Sequence, residues 1–396
     1  MYRTLAKDEI ESRIERFLVR MKDAGVDIAL VVHIPDLFYF TGVVQQGILL
    51  VEAGEEPIYF VRRYHERAVL ESPLKNIVRI TSPAEIVPYL GSRYHRVKSV
   101  GLELDVMPVS FYDRLTGIFA GKEFVDISTM IREVRSVKSA FEIELMKRSG
   151  KKLVRLMQAA GESIREGKKE HEVFSEMVKF ALDKGHSGTI RMRNWNQDIP
   201  FGHVLSGESG AVGTYTDTPL GGRGRHPLSP FGPGERVIKR EEPIIVDMMW
   251  VEEGYATDMT RVYSIGKIED GEILKAHETA MRILRSAEMR LKPRRSSKAI
   301  LKESVNIAAE QGLINCFMGV PGNNVAFLGH GIGIEVDEFP FIAEGLDFTL
   351  KEGMTLALEP KFVLPGKGAV GVENTYVISP DGCKNLTEME EEIIVI

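Results

Sequence analysis

Five residues of the chain have the types that bind hard cations: Asp247, Asp258, His330, Glu359 and Glu373. The segment IIVDMMWVEEGYATDMTRVYSIG (244–266) reads as strand, acidic-Gly turn, strand. A turn centred on Glu252-Glu253 sets Asp247 almost opposite Asp258, with the register open by one residue. Directly opposed residues have Cβ atoms about 4.5–5.5 Å apart. Two carboxylates that close repel unless a cation or proton lies between them. The pattern occurs a second time. Glu359 ends TLALEP, Glu373 lies in GAVGVENTYVIS, and their midpoint is Gly366, inside the turn signal Pro365-Gly366-Lys367-Gly368. His330, in FLGHGIGIEVDEFP, has Gly329, Gly331 and Gly333 around it, and these allow close backbone approach. Four carboxylates and one imidazole favour Mn²⁺, Fe²⁺ or Co²⁺ over a thiolate-type zinc site, with zinc still open. Spacing alone leaves two readings standing: a dinuclear metal centre, or ordinary strand acids satisfied one by one.

The elements that position these residues follow from periodicity. Ile10, Ile14, Phe17, Leu18 and Met21 predict an amphipathic helix over 6–24, stopped at Gly25. Strands follow at 28–32, 47–52, 57–61 and 97–102, with helices near 63–71 and 108–119. Strands alternating with helices predict an α/β domain over 1–132. Ser139-Ala-Phe-Glu142 is a capping box that opens a long helix. Helices near 169–184, 271–291 and 297–311 and a strand pair at 243–264 give 133–396 an α+β pattern. Residues 187–234 read as loops and short strands.

Composition narrows the class. The chain has 396 residues, 43% hydrophobic and 27% charged, with formal net charge -6. That predicts a folded protein of two domains without a nucleic-acid partner, since a phosphate backbone calls for a basic stripe. Arg191 to Arg193 and Arg294-Arg295 are too short to make one. Two cysteines, Cys316 and Cys383, exclude a disulfide framework and a Cys-rich zinc site. No secretory signal or apolar membrane span is visible, so a cytoplasmic protein is expected. A GxSxG elbow, a Walker A loop and a zincin helix are all missing, and Gly-rich 221–235 does not fit GxGxxG. Trp195 and Trp250 are expected in the core or the wall of a site.

In combination and in this order, DMMWVEEGYATDMTRVYSIG, GHGIGIEVDEFP, ALEP and GVEN resemble the metal-binding blocks of the pita-bread superfamily: prolidase, Xaa-Pro aminopeptidase, creatinase and methionine aminopeptidase. DLFYFTGV (36–43) resembles the creatinase/prolidase N-terminal domain, and 131–150 resembles the junction helix of that group. The resemblance covers nearly the whole chain. It implies an α/β N-terminal domain and an α+β pita-bread catalytic domain. It implies two divalent ions, manganese favoured over cobalt, iron or zinc. Asp247 would chelate one metal, Asp258 and Glu373 would bridge both, and His330 and Glu359 would bind the second. A bridging hydroxide would attack a small proline-containing peptide, with Glu359 as general base. A homodimer is implied as well.

Three positions depart from the family. Thr214 and Asp337 stand where its peptidases carry histidines, and Gly371 stands where an arginine precedes the last glutamate. Those groups hold substrate and stabilise the developing oxyanion, where one donor is typically worth about 2.7–4 kcal/mol. His226 and His203 are the candidate replacements. The changes motivate two alternatives. One is a non-peptidase enzyme on the same scaffold, a lyase or small-amide hydrolase taking a cationic ligand. The other is a binding protein without catalysis. Creatine hydrolysis is not expected, because creatinase lacks these metal ligands.

Overall fold

The computed structural model describes residues 5–396. Its contacts divide the chain into two units, one ending at Arg135 and the other running Ser136–Ile396. The first unit begins with the helix Lys7–Asp23, which buries Ile10, Ile14, Phe17 and Met21 as the periodicity predicts. Its sheet has six strands in the order Asn76–Arg79, Ile58–Val61, Gly47–Glu52, Ile28–Val31, Ser99–Leu102, Glu123–Asp126. Ile28–Val31 is central and fully buried, pairing antiparallel with Gly47–Glu52 and parallel with Ser99–Leu102. Both edge strands escaped the sequence reading, because they are short, half-exposed and weakly alternating. The helix Ile34–Thr41 escaped it too. It is buried nearly all round, so it lacks the polar face that marks an amphipathic helix. Its buried Asp36 is paired with Arg135 at 2.6 Å.

The second unit builds a four-stranded and a five-stranded sheet, with two further strand pairs, Gly319–Val320 with Asn323–Asn324 and Lys361–Leu364 with Gly368–Gly371. The helix Ala140–Ser163 starts at the capping box: Glu142 N donates to Ser139 Oγ at 3.2 Å, and Ser139 N donates to Glu142 Oε2 at 2.8 Å. Leu153, Leu156, Met157 and Ala160 of this helix pack on Val246, Met248, Met259 and Tyr263 of a four-stranded sheet. That sheet runs Ile394–Val395, Tyr255–Ser264, Ile244–Glu252, Gly202–Ser206. The other sheet runs Glu338–Ala343, Phe327–Gly331, Thr355–Leu358, Asn374–Ser379, Gly382–Asn385. The helices Gly271–Glu288 and Ser297–Glu310 bring Ile283, Leu284, Ile300 and Ile307 into one core with Leu356, Leu358, Val370 and Tyr376. A single bridge, Thr260 with Glu373, joins the two sheets. Among the described residues no helix is long and apolar enough to cross a membrane.

Candidate functional site

The first acidic hairpin turns one residue later than its sequence suggests. Glu252 pairs with Tyr255, so the turn is Glu253-Gly254, with φ of 47° and 93°. Two positive φ values are what a two-residue hairpin of type I′ requires, and glycine supplies the second at no steric cost. Asp247 therefore faces Thr260, and Asp258 faces Met249. The two aspartates are diagonal neighbours on one face rather than directly opposed. That is a wider spacing, with about 7–8 Å between such positions. The opposite face, with Val246, Met248 and Trp250, is the one that packs on the long helix.

The second hairpin has the register read from its turn. Lys361 pairs with Gly371 and Leu358 with Asn374, so Glu359 and Glu373 face each other about Gly366, whose φ is 75°. The two hairpins meet where Thr260 Oγ1 donates to Glu373 Oε2 at 2.8 Å. Arg261, fully buried, donates to the Glu373 carbonyl at 2.9 Å and to Asn374 Oδ1 at 2.8 Å, fixing the strand behind the glutamate.

His330 comes from the adjacent strand, paired with Ala357. A Cβ at Gly329 would lie 2.2 Å from the Ala357 carbonyl oxygen, and one at Gly331 would lie 2.2 Å from that of Phe339. The glycines beside His330 are there because two backbones crowd the strand on either side. His330 Nε2 reaches Glu359 Oε1 at 3.5 Å, and Nδ1 lies 3.1 Å from the Gly331 carbonyl.

The residue missed by the sequence reading is Lys361. Its Nζ lies inside the acidic cluster, donating to Glu359 Oε2 at 2.7 Å, Glu373 Oε2 at 2.8 Å and Asp247 Oδ2 at 2.9 Å. One signal could have found it. Lys361 stands two residues after Glu359, and in an extended segment such residues share a face.

The charges divide the cluster. Burial works against ionising Asp247 and Glu359, but the Lys361 ammonium outweighs it and holds both below the usual carboxylate range. Burial also opposes charge on Lys361, and the surrounding carboxylates more than offset it, so the ammonium keeps its proton firmly. Asp258 has burial and the nearby Glu373 and Asp247 against it, and its carboxyl is pushed well up. Burial likewise raises Glu373, to about 7. Burial disfavours the His330 imidazolium, yet the hydrogen bond and charge of Glu359 lift it to about 9.

All five residues border one cleft of about 580 Å³, a size within the usual range for small-molecule sites. Of the other candidates, His203 lies beside the cluster, opposite Asp247 in register, and burial lowers its pKa so that it stays neutral. Thr214 lines the cleft, with Oγ1 3.4 Å from the Pro230 carbonyl. Asp337 also borders it, but its carboxylate accepts the backbone N–H of Arg193 at 2.7 Å and of Asn194 at 3.0 Å, which ties down a loop. His226 is exposed and outside the cleft, its Nδ1 accepting from Leu228 N within a local turn. Trp250 is buried, as expected, whereas Trp195 is 90% exposed and belongs to neither core nor wall.

One side of the donor set fits a divalent ion. Asp258, His330 and Glu373 each offer a ligand atom, all within 4.8 Å of one another. Glu373 Oε1 is buried without a hydrogen-bond partner among the described residues, and a cation would satisfy it. Asp247, by contrast, and one oxygen each of Glu359 and Glu373 already hold an ammonium.

Comparison with known proteins agrees with this architecture. Residues 144–380 match metallopeptidase family M24, and residues 13–137 match the Creatinase/Prolidase N-terminal domain. The chain is 26% identical to an Xaa-Pro dipeptidase of Pyrococcus horikoshii, over 98% of this chain and 100% of that protein. It is 25% identical to an Xaa-Pro dipeptidase of Lactobacillus delbrueckii subsp. lactis, over 95% of this chain and 96% of that protein. The crystal structure of the Pyrococcus horikoshii prolidase superposes with a TM-score of 0.80 at 26% identity, covering 97% of this chain and 100% of its own. An Xaa-Pro dipeptidase from Bacillus anthracis has the same fold, with a TM-score of 0.82 at 21% identity over 98% of this chain and 100% of that one. The fold is the pita-bread arrangement of these structures, and the chain belongs to metallopeptidase family M24, whose members work with divalent metal ions.

Proposed function

We propose that this protein hydrolyses amide bonds of small peptides, those preceding proline foremost, with a divalent cation held in the acid–histidine cluster. The observation that carries this is the convergence of Asp258, His330, Glu359 and Glu373 on one cleft, in a chain of a metallopeptidase family. The preference for proline rests on relatives named Xaa-Pro dipeptidase along essentially the full chain. Asp258, His330 and Glu373 would hold the ion. A bound divalent ion supplies Lewis acidity toward the scissile carbonyl and lowers the pKa of water. Lys361 holds the Glu359 carboxyl below the usual range, and Glu359 would be the group that takes a proton from the attacking water. The oxygen-rich ligand set makes Mn²⁺ the ion to load first. A homodimer belongs to the same reading and is checked by light scattering.

The test is a panel of Xaa-Pro dipeptides and tripeptides with matched proline-free controls, assayed on metal-stripped, Mn²⁺-reloaded protein. Metal-dependent release of proline or of the N-terminal residue is the expected result. No cleavage of any member sinks the substrate assignment.

One observation favours a second reading. Among the described residues lining the cleft there is no lysine or arginine, while Asp198, Asp217, Asp337 and Glu344 are present. Such a wall suits a ligand with a positive charge and no free carboxylate, as a non-peptidase enzyme on this scaffold would take. Small quaternary ammonium and sulfonium compounds should then raise the melting temperature. A screen without any shift removes that reading.

A further inference from the structure

Lys361 sits where a cation belongs. An ammonium has three donors and no acceptor, and here the three donors meet Asp247, Glu359 and Glu373 at 2.7–2.9 Å. Its side chain is 1% exposed, so nothing in solvent competes for it. A metal ion bonds such oxygens at about 2.0–2.2 Å. It would have to share them with a positive charge a hydrogen-bond length away, in a buried site where like charges repel strongly.

The fold makes room for this lysine. Lys361 pairs in register with Gly371. A Cβ at 371 would lie 2.8 Å from both Cα and Cγ of Lys361 and 2.5 Å from the Pro360 carbonyl oxygen. Two of these three atoms are backbone, so the close approach of the strands itself calls for glycine at 371, and no side chain there competes with Lys361 for the space. The opposite half of the cluster has no such occupant. Asp258, His330 and Glu373 converge within 4.8 Å, and the buried Glu373 Oε1 has no partner among the described residues.

We infer that Lys361 is a tethered cation filling one of two cation positions, and that the cluster takes a single divalent ion on Asp258, His330 and Glu373. The inference rests on reading the cluster as a metal centre, but not on the choice of substrate.

The test counts ions. Metal-stripped full-length protein is saturated with Mn²⁺, freed of excess and measured by elemental analysis and electron paramagnetic resonance. The expected result is one ion per chain with the six-line spectrum of an isolated Mn²⁺. Lys361→Ala and Lys361→Met, each checked for native circular dichroism, should double the count and give an exchange-coupled pair. Two coupled ions in the unsubstituted protein overturn the inference. So does no bound ion, and so does a count that stays at one in the folded variants. Should both variants fail to fold, the spectrum of the unsubstituted protein decides alone. Peptide cleavage is scored separately. One ion without Xaa-Pro cleavage defeats the substrate assignment and leaves the inference standing, while two ions with cleavage do the reverse.

Discussion

Asp247 and Asp258 lie on one face of one hairpin, two places apart in register, and are equally buried at 7% exposure. Their electrostatic surroundings are opposite. Asp247 has the Lys361 ammonium at 2.9 Å and is held ionised below the usual range. Asp258 has burial and two neighbouring carboxylates against it and is held well above that range. Residue type, face and burial are the same, so what separates them is a cation delivered by another hairpin. The half around Asp247 is neutralised by the fold itself. The half around Asp258 has to find its charge balance elsewhere, in a proton or in a bound ion.

The strongest way to break this comparison is to remove the ammonium. In metal-free protein, Lys361→Met should cost about 3–5 kcal/mol, because it leaves buried carboxylates without their partner. Urea unfolding at pH 7 with chelator present measures this, and added Mn²⁺ should recover part of the loss. A change of less than about 1 kcal/mol would mean the lysine is not part of the charge balance.

Asp258→Asn probes the other half and should behave in the opposite way. Burial and the neighbouring carboxylates push its carboxyl well up in the metal-free protein, so a neutral amide should alter metal-free stability by less than about 1 kcal/mol. The same substitution removes a ligand, so kcat/KM toward the best Xaa-Pro substrate should fall at least 100-fold, roughly 3 kcal/mol of barrier. Loss of metal-free stability without loss of activity would invert the assignment of the halves.

A third measurement separates the cluster from its background. His277 is buried on the helix Gly271–Glu288, its Nε2 2.8 Å from the Glu391 carbonyl, and burial lowers its pKa from 6.5 to about 4. The unfolded chain therefore binds a proton that the fold refuses between those values. His277 contributes stability that is intact above pH 6.5 and lost as pH falls toward 4, by up to roughly 3 kcal/mol. Unfolding across that window should show this acid limb in the Lys361 and Asp258 variants alike, and His277→Gln should flatten it.

The smallest effect serves as the control. His226→Ala, on an exposed turn outside the cleft, should leave stability within about 0.5 kcal/mol and kinetics unchanged. A tenfold fall in kcat/KM would return His226 to the list of substrate groups.

Much of the architecture was legible because local chemistry specifies it. Ser139 and Glu142 marked the start of the long helix, since a capping box satisfies helix-end amides within four residues. Gly366 marked the centre of the second hairpin, and the facing of Glu359 and Glu373 followed by counting. The first hairpin escaped by one residue because Glu253 adopts a positive φ, which its type does not announce. What Asp337 holds was not legible in its neighbourhood of the sequence. The structure turns its oxygens to two backbone amides more than 140 residues earlier in the chain.

By itself, the sequence determined the ligand types, the two acidic hairpins, the glycines that admit His330 and the family likeness. Each of these is written in residue identity and short spacing. Only the tertiary structure decided that an ammonium stands among the carboxylates. Lys361 and Asp247 are 114 residues apart, and no local pattern pairs them. Their meeting depends on how two sheets are registered through Thr260 and Glu373, and on the glycine at 371 that leaves space for a long side chain to turn inward.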